Sequence, residues 1–298
     1  MGKILVVGLC CIDVVNYVQI YPKEDSDTRV FEMETVLGGN AANNCTVLKQ
    51  IAPEDTVLCA ALPENDATLK DLLKQYKLKV IRIKRPNCRV PVSTCVVNIS
   101  NGSRTILHYR GDLPEINADE FEETFPNFDD FSWIHFEGRN FDQLAKMISY
   151  CRTKIGHSKC KISVELEKIR EFDWYTKIIP LADVIFMSKD FSRKLGFNSM
   201  EEAINGTIKR FSLRDSTLIV PWGEMGASAR LSSESQIRFC QAYKPEKVVD
   251  TLGAGDSFIG SALHFLNQRM PLQEVLENAV KVAGIKCGQS GLRNLNLK

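Results

Sequence analysis

The sequence predicts an α/β fold: a largely parallel sheet covered by helices, with a second, smaller sheet set apart from it. Three observations carry this. From Phe131 onward short apolar runs alternate with helical stretches, which is the pattern of parallel strands joined by crossover helices. Two hairpin-like segments, around 13–37 and 90–112, interrupt that alternation, so they are expected to pair as a small sheet that can act as a lid. At 298 residues a chain buries about three quarters of its unfolded surface, enough for one full core. The expectation is a single unit over residues 1–298 with the small sheet inserted in it.

Taken in order, Ile4 to Ile12 is an apolar run ending at Asp13. It is expected to be one buried strand with Asp13 at its C-terminal end, where ligands collect in α/β sheets. Tyr17 to Ile20 and Arg29 to Leu37 alternate apolar and polar around the turn-rich Tyr21-Pro22-Lys23-Glu24-Asp25-Ser26. Val92 to Val97 and Arg104 to Tyr109 flank Asn101-Gly102, a strong hairpin signal. Trp133 to Phe136, Ile162 to Leu166, Val184 to Met187 and Leu218 to Val220 are the strands of the second half, with a helix from Phe141 to Tyr150 between the first two. The polar stops after them, Glu137-Gly138-Arg139-Asn140, Glu167-Lys168, Ser188-Lys189-Asp190 and Gly223-Glu224, are expected to line one sheet edge. Leu272 to Ala283 has a helical apolar face and is expected to be a core helix.

Several function classes are excluded early. The 38 Lys and Arg against 37 Asp and Glu leave a net charge of +1, without the basic stripe of a nucleic-acid binder. No apolar run is long enough to cross a bilayer, and the short N-terminal one lacks a leader's cleavage site. The ten cysteines form no C-x-x-C pair and no zinc spacing, so reduced thiols in the cytoplasm are expected.

Two glycine-rich stretches carry the chemistry. In Asp250-Thr251-Leu252-Gly253-Ala254-Gly255-Asp256-Ser257-Phe258 a loop turns into a helix whose first N–H groups lack partners and attract anions. Asp256 would stand beside that anion, placed to take a proton from an attacking hydroxyl. The same four residues, Gly253 to Asp256, also suit a plain N-cap. Gly38-Gly39-Asn40-Ala41-Ala42-Asn43 is a second turn into a helix. Asn40 and Asn43, three apart, present two amides suited to the hydroxyls of a polyol, and equally a Gly-rich turn with an Asn cap.

Together, in this order and separation, the two stretches resemble the paired signatures of the ribokinase-like carbohydrate kinases. Tyr21 to Ser26, Ile134 to Asn140, Ser163 to Lys168, Ser188 to Asp190 and Val282 to Gly288 extend the resemblance along the chain, toward the branch that phosphorylates ketohexoses. The resemblance implies a ribokinase-like three-layer sandwich that uses ATP and Mg2+ to phosphorylate D-fructose at the C1 hydroxyl. It implies Asp256 as catalytic base and Gly253, Ala254 and Gly255 as the anion hole. Asp13, Gly39, Asn40 and Asn43 match sugar-binding residues, and Asp25 matches one lent by the neighbouring subunit of a homodimer clasped through the lids. Arg104, Gly223, Glu224, Met225 and Gly226, with Val280, Ala283, Gly284 and Cys287, match the nucleotide site. Potassium beside Asp250 and Thr251 is a further implication. Two departures stand out. An Asn-x-x-Glu motif common in the family is replaced by Ser188-Lys189-Asp190-Phe191, leaving the metal-organising residue unassigned, and the 223–226 loop is less acidic than the family pattern. A kinase of ribose, a nucleoside or another ketose is the alternative within the fold, and a catalytically silent sugar- or nucleotide-binding protein the alternative outside it.

Overall fold

The computed structural model describes residues 2–53, 55–168 and 174–297. Its strands are β1 (Lys3–Val7), β2 (Cys11–Val18), β3 (Glu32–Gly38), β4 (Thr56–Pro63), β5 (Val80–Arg85), β6 (Val92–Asn98), β7 (Arg104–Tyr109), β8 (Phe131–Glu137), β9 (Lys161–Leu166), β10 (Val184–Met187), β11 (Thr217–Pro221), β12 (Ala227–Leu231) and β13 (Arg238–Cys240). The α-helices are α1 (Asn40–Ile51), α2 (Ala67–Tyr76), α3 (Ala118–Thr124), α4 (Phe141–Lys159), α5 (Tyr175–Ile178), α6 (Lys189–Lys194), α7 (Met200–Phe211), α8 (Ala254–Asn267) and α9 (Leu272–Cys287). Among the described residues nine strands form the main sheet in the order β13-β12-β11-β10-β9-β8-β1-β4-β5, and four form the small one in the order β3-β2-β6-β7. The main sheet is parallel from β5 across to β11, and only the β12 and β13 edge runs antiparallel.

Alternation along the strands splits the core into two layers, because successive side chains leave a strand on opposite faces. Ile4, Val6, Leu58, Ala60, Phe186 and Ile219 pack with α1, α2, α8 and α9. Leu5, Val7, Cys59, Phe136, Val164 and Leu218 pack with α3 to α7. The result is the three-layer sandwich with a separate small sheet. Where helix ends serve only the fold, side chains cap them: Asp66 accepts from Leu69 N, Asn117 and Glu120 form a reciprocal box, and Ser199 accepts from Glu202 N.

Three expectations change. The first apolar run is two strands rather than one: β1 ends at Val7 in the main sheet, and β2 starts at Cys11 in the small one. Between them Leu9 N donates to Glu137 Oε2 at 2.7 Å, and Gly8 lies so close to that side chain that a Cβ would come within 2.5 Å of its carboxylate. The chain therefore leaves the main sheet there, and Asp13 sits inside β2 rather than at a strand end. The strand after the turn begins at Glu32, later than Arg29, and Ile20 lies beyond the end of β2. By contrast β6 and β7 pair as the expected hairpin, with Gly102 at φ 70° and its N–H bonded to Asn98 O.

The helix-α3 side of the core is held by aromatic packing: Phe121 is fully buried and its ring lies 4.8 Å from Phe125 and 5.8 Å from Phe136. Phe121→Ala should cost about 3–5 kcal/mol through lost burial and an unfilled cavity. Urea unfolding followed by circular dichroism checks this; a loss below about 1 kcal/mol would mean the site collapses around the gap.

Candidate active site

Two helix N-termini and two strand ends converge at one edge of the main sheet. β8 ends at Glu137, paired in register with Glu165 near the end of β9. α1 and α8 start at glycines in place of side-chain caps: Gly39 at φ 93° and Gly253 at φ 77°. Positive φ costs glycine nothing, and it leaves the first N–H groups of both helices without side-chain partners. The plain N-cap reading is thereby overturned at both positions. Asp256 is the third residue of α8 and its carboxylate turns to another helix. Asn40 is the first residue of α1, not its cap.

Asn43 Nδ2 donates to Asp256 Oδ2 at 2.7 Å, while Asn40 Nδ2 donates to Glu165 Oε1 and Glu167 Oε2, both at 3.1 Å. Asp13 approaches from the small sheet. A Cβ on Gly38 would lie 2.1 Å from the Asp13 carboxyl carbon, so only glycine lets the chain pass it. Cys11 Sγ donates to Asp13 Oδ1 at 3.3 Å, and Ser93, itself 3.1 Å from His108 Nδ1, bonds the same carboxylate. Asp13 and Asn43 line one cleft with Glu34, Asp250, Ser290 and Arg293, enclosing about 1200 Å3 with its open mouth, room enough for a sugar.

The carboxylates act on one another electrostatically. Burial pushes the Asp256 carboxyl up to about 7; the Asn43 hydrogen bond opposes this, and the charges of Glu167, Glu137 and Asp13 add to it. Burial also raises Glu165, reinforced by Asp256, Glu167 and Glu137. Burial raises Asp13, against the hydrogen bonds from Ser93 and Cys11. Of Glu165, Oε2 is buried without a hydrogen-bond partner. Arg139 bridges Glu137 and Glu115 at 2.8 and 2.9 Å.

Beside this cluster lies open space. Gly255 is exposed, and a Cβ there would meet no atom within 4 Å. Arg104, at the start of β7, donates to Thr251 Oγ1 at 3.2 Å, on the loop before α8. Gly223, Glu224 and Met225 form an exposed 3-10 turn after β11, where Lys189 pairs with Glu224 at 3.1 Å. Gly226 packs against Cys240 to Ala242, and Gly284 packs against Tyr243. The two expected nucleotide segments thus meet along 240–243. On α9, Val280 is buried in the core while Ala283 and Cys287 are partly exposed. Ser188 caps α6 by accepting from Phe191 N, and Asp190 is exposed. Asp25 lies apart, exposed at φ 56°, and among the described residues no hydrogen bond joins it to the cluster. The carbonyl and one carboxylate oxygen of Asp250, where potassium is expected, are engaged by the Lys286 ammonium.

Sequence reasoning placed Glu137 and Glu167 at this edge but missed Glu165, Ser93, His108 and Lys286. A carboxylate inside the otherwise apolar Ser163-Val164-Glu165-Leu166 strand was a signal for the first. The other three depend on pairings across the chain.

A model of the pfkB family carbohydrate kinases matches residues 1–298. Ketohexokinase of Mus musculus is 36% identical over 297 residues, with 97% of each chain covered. Ribokinase from Giardia lamblia superposes with a TM-score of 0.84 at 15% identity, covering 98% of this chain and 95% of that one. Arabidopsis thaliana ribokinase complexed with ribose and ATP does so with a TM-score of 0.74 at 18% identity, covering 97% and 94%. The two structural likenesses speak to the fold alone.

With its carboxyl raised from 3.8 to about 7, Asp256 binds its proton more tightly in the folded protein than in the unfolded one. Stability is therefore lost as pH climbs from about 4 to 7 and stays lower above. Asp256→Asn removes that titration, so the melting temperature of the variant relative to the parent should rise across this window. Differential scanning fluorimetry at pH 4 to 8 measures it, and a pH-independent difference would show that Asp256 is not held protonated by burial.

Proposed function

Because the chain belongs to the pfkB family of carbohydrate kinases and is an ATP-dependent sugar kinase, we propose that its reaction is transfer of the ATP γ-phosphoryl group to the C1 hydroxyl of D-fructose. The product is fructose 1-phosphate. The observation that carries this is Asp256, buried and raised to about 7 at an uncapped helix start. The identity to mouse ketohexokinase over nearly the whole chain supports fructose as the acceptor.

In this reading the residues around 1–298 act as one catalytic unit with the small sheet as its lid. Asp13, Gly39, Asn40 and Asn43 hold the sugar's hydroxyls, with Glu137 beside them. Asp256 takes the C1 proton as the oxygen bonds to phosphorus. A hydroxyl is far too weak an acid to be ionised beforehand, so the transfer of the proton comes late, and orientation and charge stabilisation carry most of the rate. The N–H groups from Gly253 to Gly255 meet the charge that builds on the phosphoryl oxygens. Arg104 reaches the phosphates, and Gly223 to Gly226 with Val280, Ala283, Gly284 and Cys287 flank the nucleoside.

Magnesium, which arrives with ATP, spreads positive charge over the phosphates. The residues fit it: Glu165 offers an unpartnered buried oxygen and Glu167 lies next to it. Two carboxylates suffice, since magnesium keeps waters and phosphate oxygens as its other ligands. Potassium belongs to the same proposal, on oxygens other than the two that Asp250 gives to Lys286. Ten free cysteines, most of them buried, suit a cytoplasmic setting, and no described helix is long and apolar enough to cross a membrane.

The lid also supports the homodimer. Register places Asp13, Ser93 and His108 side by side on one face of the small sheet. The opposite face presents Met33, Leu107 and Tyr109, at 60%, 63% and 56% exposure. A second copy covering that face would bring its Asp25 to the sugar pocket.

Asp256→Asn should leave D-fructose binding by calorimetry within about twofold and lower turnover by about a hundredfold or more. Parent turnover should rise as pH climbs through about 7, as Asp256 ionises. A coupled ADP assay with MgATP and D-fructose, D-ribose or adenosine identifies the acceptor; preference for ribose or adenosine, or near-normal turnover of the variant, overturns the assignment. Leu107→Asp should sediment as a monomer and raise the KM for sugar, and a parent that is already monomeric in analytical ultracentrifugation removes the dimer from the mechanism.

A further inference from the structure

Among the described residues Lys286 is the one lysine whose side chain is wholly buried, at 0% exposure against an Asp250 carboxylate at 1%. From α9 its Nζ donates to Asp250 Oδ2 at 2.7 Å, Asp250 O at 2.9 Å and Gln289 O at 3.3 Å. An ammonium carries three protons and no lone pair, so this one is saturated and has nothing left for a substrate. Asp250 is equally committed. Its Oδ1 accepts from Leu252 N at 2.8 Å, its Oδ2 also accepts from Gly291 N at 3.1 Å, and its own N–H donates to Cys287 O at 3.3 Å.

What this cage holds is a bend. One residue past Leu252, Gly253 turns at φ 77° and α8 begins, with Gly255 exposed and Asp256 in contact with Asn43. Burying an ion pair is an expensive way to join a helix to a loop, since a well-packed apolar pair of the same volume does so as well or better. Burial pulls the Lys286 ammonium down, and Asp250 opposes it. The charge therefore needs a use other than stability. An ammonium enclosed by three oxygens sets the direction of the backbone carbonyl and carboxylate it binds, and it neutralises a carboxylate that would otherwise oppose the positive helix start beside it.

We propose that Lys286 is a positioning residue for phosphoryl transfer: its ammonium is a tethered internal cation that fixes the Asp250 to Gly253 bend and so aims the first N–H groups of α8 at the phosphoryl group. The inference rests on the reading of Gly253 to Gly255 as the anion hole. Lys286 touches neither sugar nor ATP, and its contribution appears in turnover rather than in sugar binding.

The test is chemical rescue. Lys286→Ala leaves an oxygen-lined gap of the right length for a small alkylammonium ion. Its kcat should fall by about tenfold or more with the calorimetric Kd for D-fructose changed by less than about twofold. Ethylammonium chloride should restore kcat saturably in this variant, while the parent and Lys286→Met, in which the gap is filled, do not respond. A kcat within about twofold of the parent, or a loss in folded Lys286→Ala that ethylammonium leaves untouched, overturns the proposal. Should Lys286→Ala not fold, Lys286→Gln keeps two N–H donors without the charge, and parental kcat in that variant overturns it as well. Asp256→Asn assayed alongside separates the two claims: if its turnover collapses while Lys286→Ala is unaffected, the role of Lys286 alone fails, and if Asp256→Asn stays active, the proposed function on which the inference rests fails.

Discussion

One hydrogen bond, from Asn43 Nδ2 to Asp256 Oδ2 at 2.7 Å, joins residues 213 positions apart and fixes the geometry of everything around it. It exists because α1 and α8 lie almost in backbone contact. A Cβ on Gly260 would come within 2.8 Å of Asn44 O, and the facing residues include Ala41, Ala42, Cys45 and Ala262, all fully buried. Small side chains let two helices approach this closely. Close approach in turn brings both uncapped helix starts to one point, so helix packing deep in the sandwich decides where an amide and a carboxylate meet at its edge.

That meeting point concentrates like charge. Asp13, Glu137, Glu165, Glu167 and Asp256 act on one another through a poorly solvated region, where repulsion is felt strongly. Around them the donors are Asn40, Asn43, Ser93, the Leu9 N–H and Arg139. The amides supply protons without supplying charge, so they orient the carboxylates and leave the repulsion in place. The cluster is therefore rich in acceptors and short of cations, a chemistry that matches hydroxyl donors and positive charge. Burial thus does two things at once: it raises a carboxylate into the range useful to a base, and it makes the cluster receptive to the ligands that discharge it.

How much of this was legible in the sequence follows from the range of each interaction. The β6 to β7 hairpin was readable because Asn101-Gly102 sets it locally. The strands of the second half were readable because their apolar runs are buried on both faces. The two glycine stretches were recognisable as helix starts, but whether Asp256 caps its own helix or turns to Asn43 is decided by a residue near the other end of the chain. The break at Gly8 was hidden for the same reason: Ile4 to Ile12 is unbroken in apolar character, and it is Glu137 on a distant strand that draws the chain out of the main sheet. Lys286 carried no signal at all, since a lysine on a helix is ordinarily solvated and nothing local indicates that Asp250 will enclose it.

The small sheet is tied to the start of α8 as well as to the cleft that Asp13 lines. Asp13 in β2 lines that cleft, while at the far end of the same sheet Gly102 O accepts from Thr251 Oγ1 at 2.8 Å and Arg104 donates to that same oxygen at 3.2 Å. Gly102 also lies against Val248, where a Cβ would reach within 2.7 Å of the valine methyl. Thr251 sits inside the bend that Asp250 and Lys286 hold. Any tilt of the small sheet therefore displaces Asp13 and the start of α8 together, because both are fastened to one hydrogen-bonded ladder through β2, β6 and β7. A sheet connected in this way makes the position of the Asp13 carboxylate and the direction of the α8 N-terminus one mechanical variable.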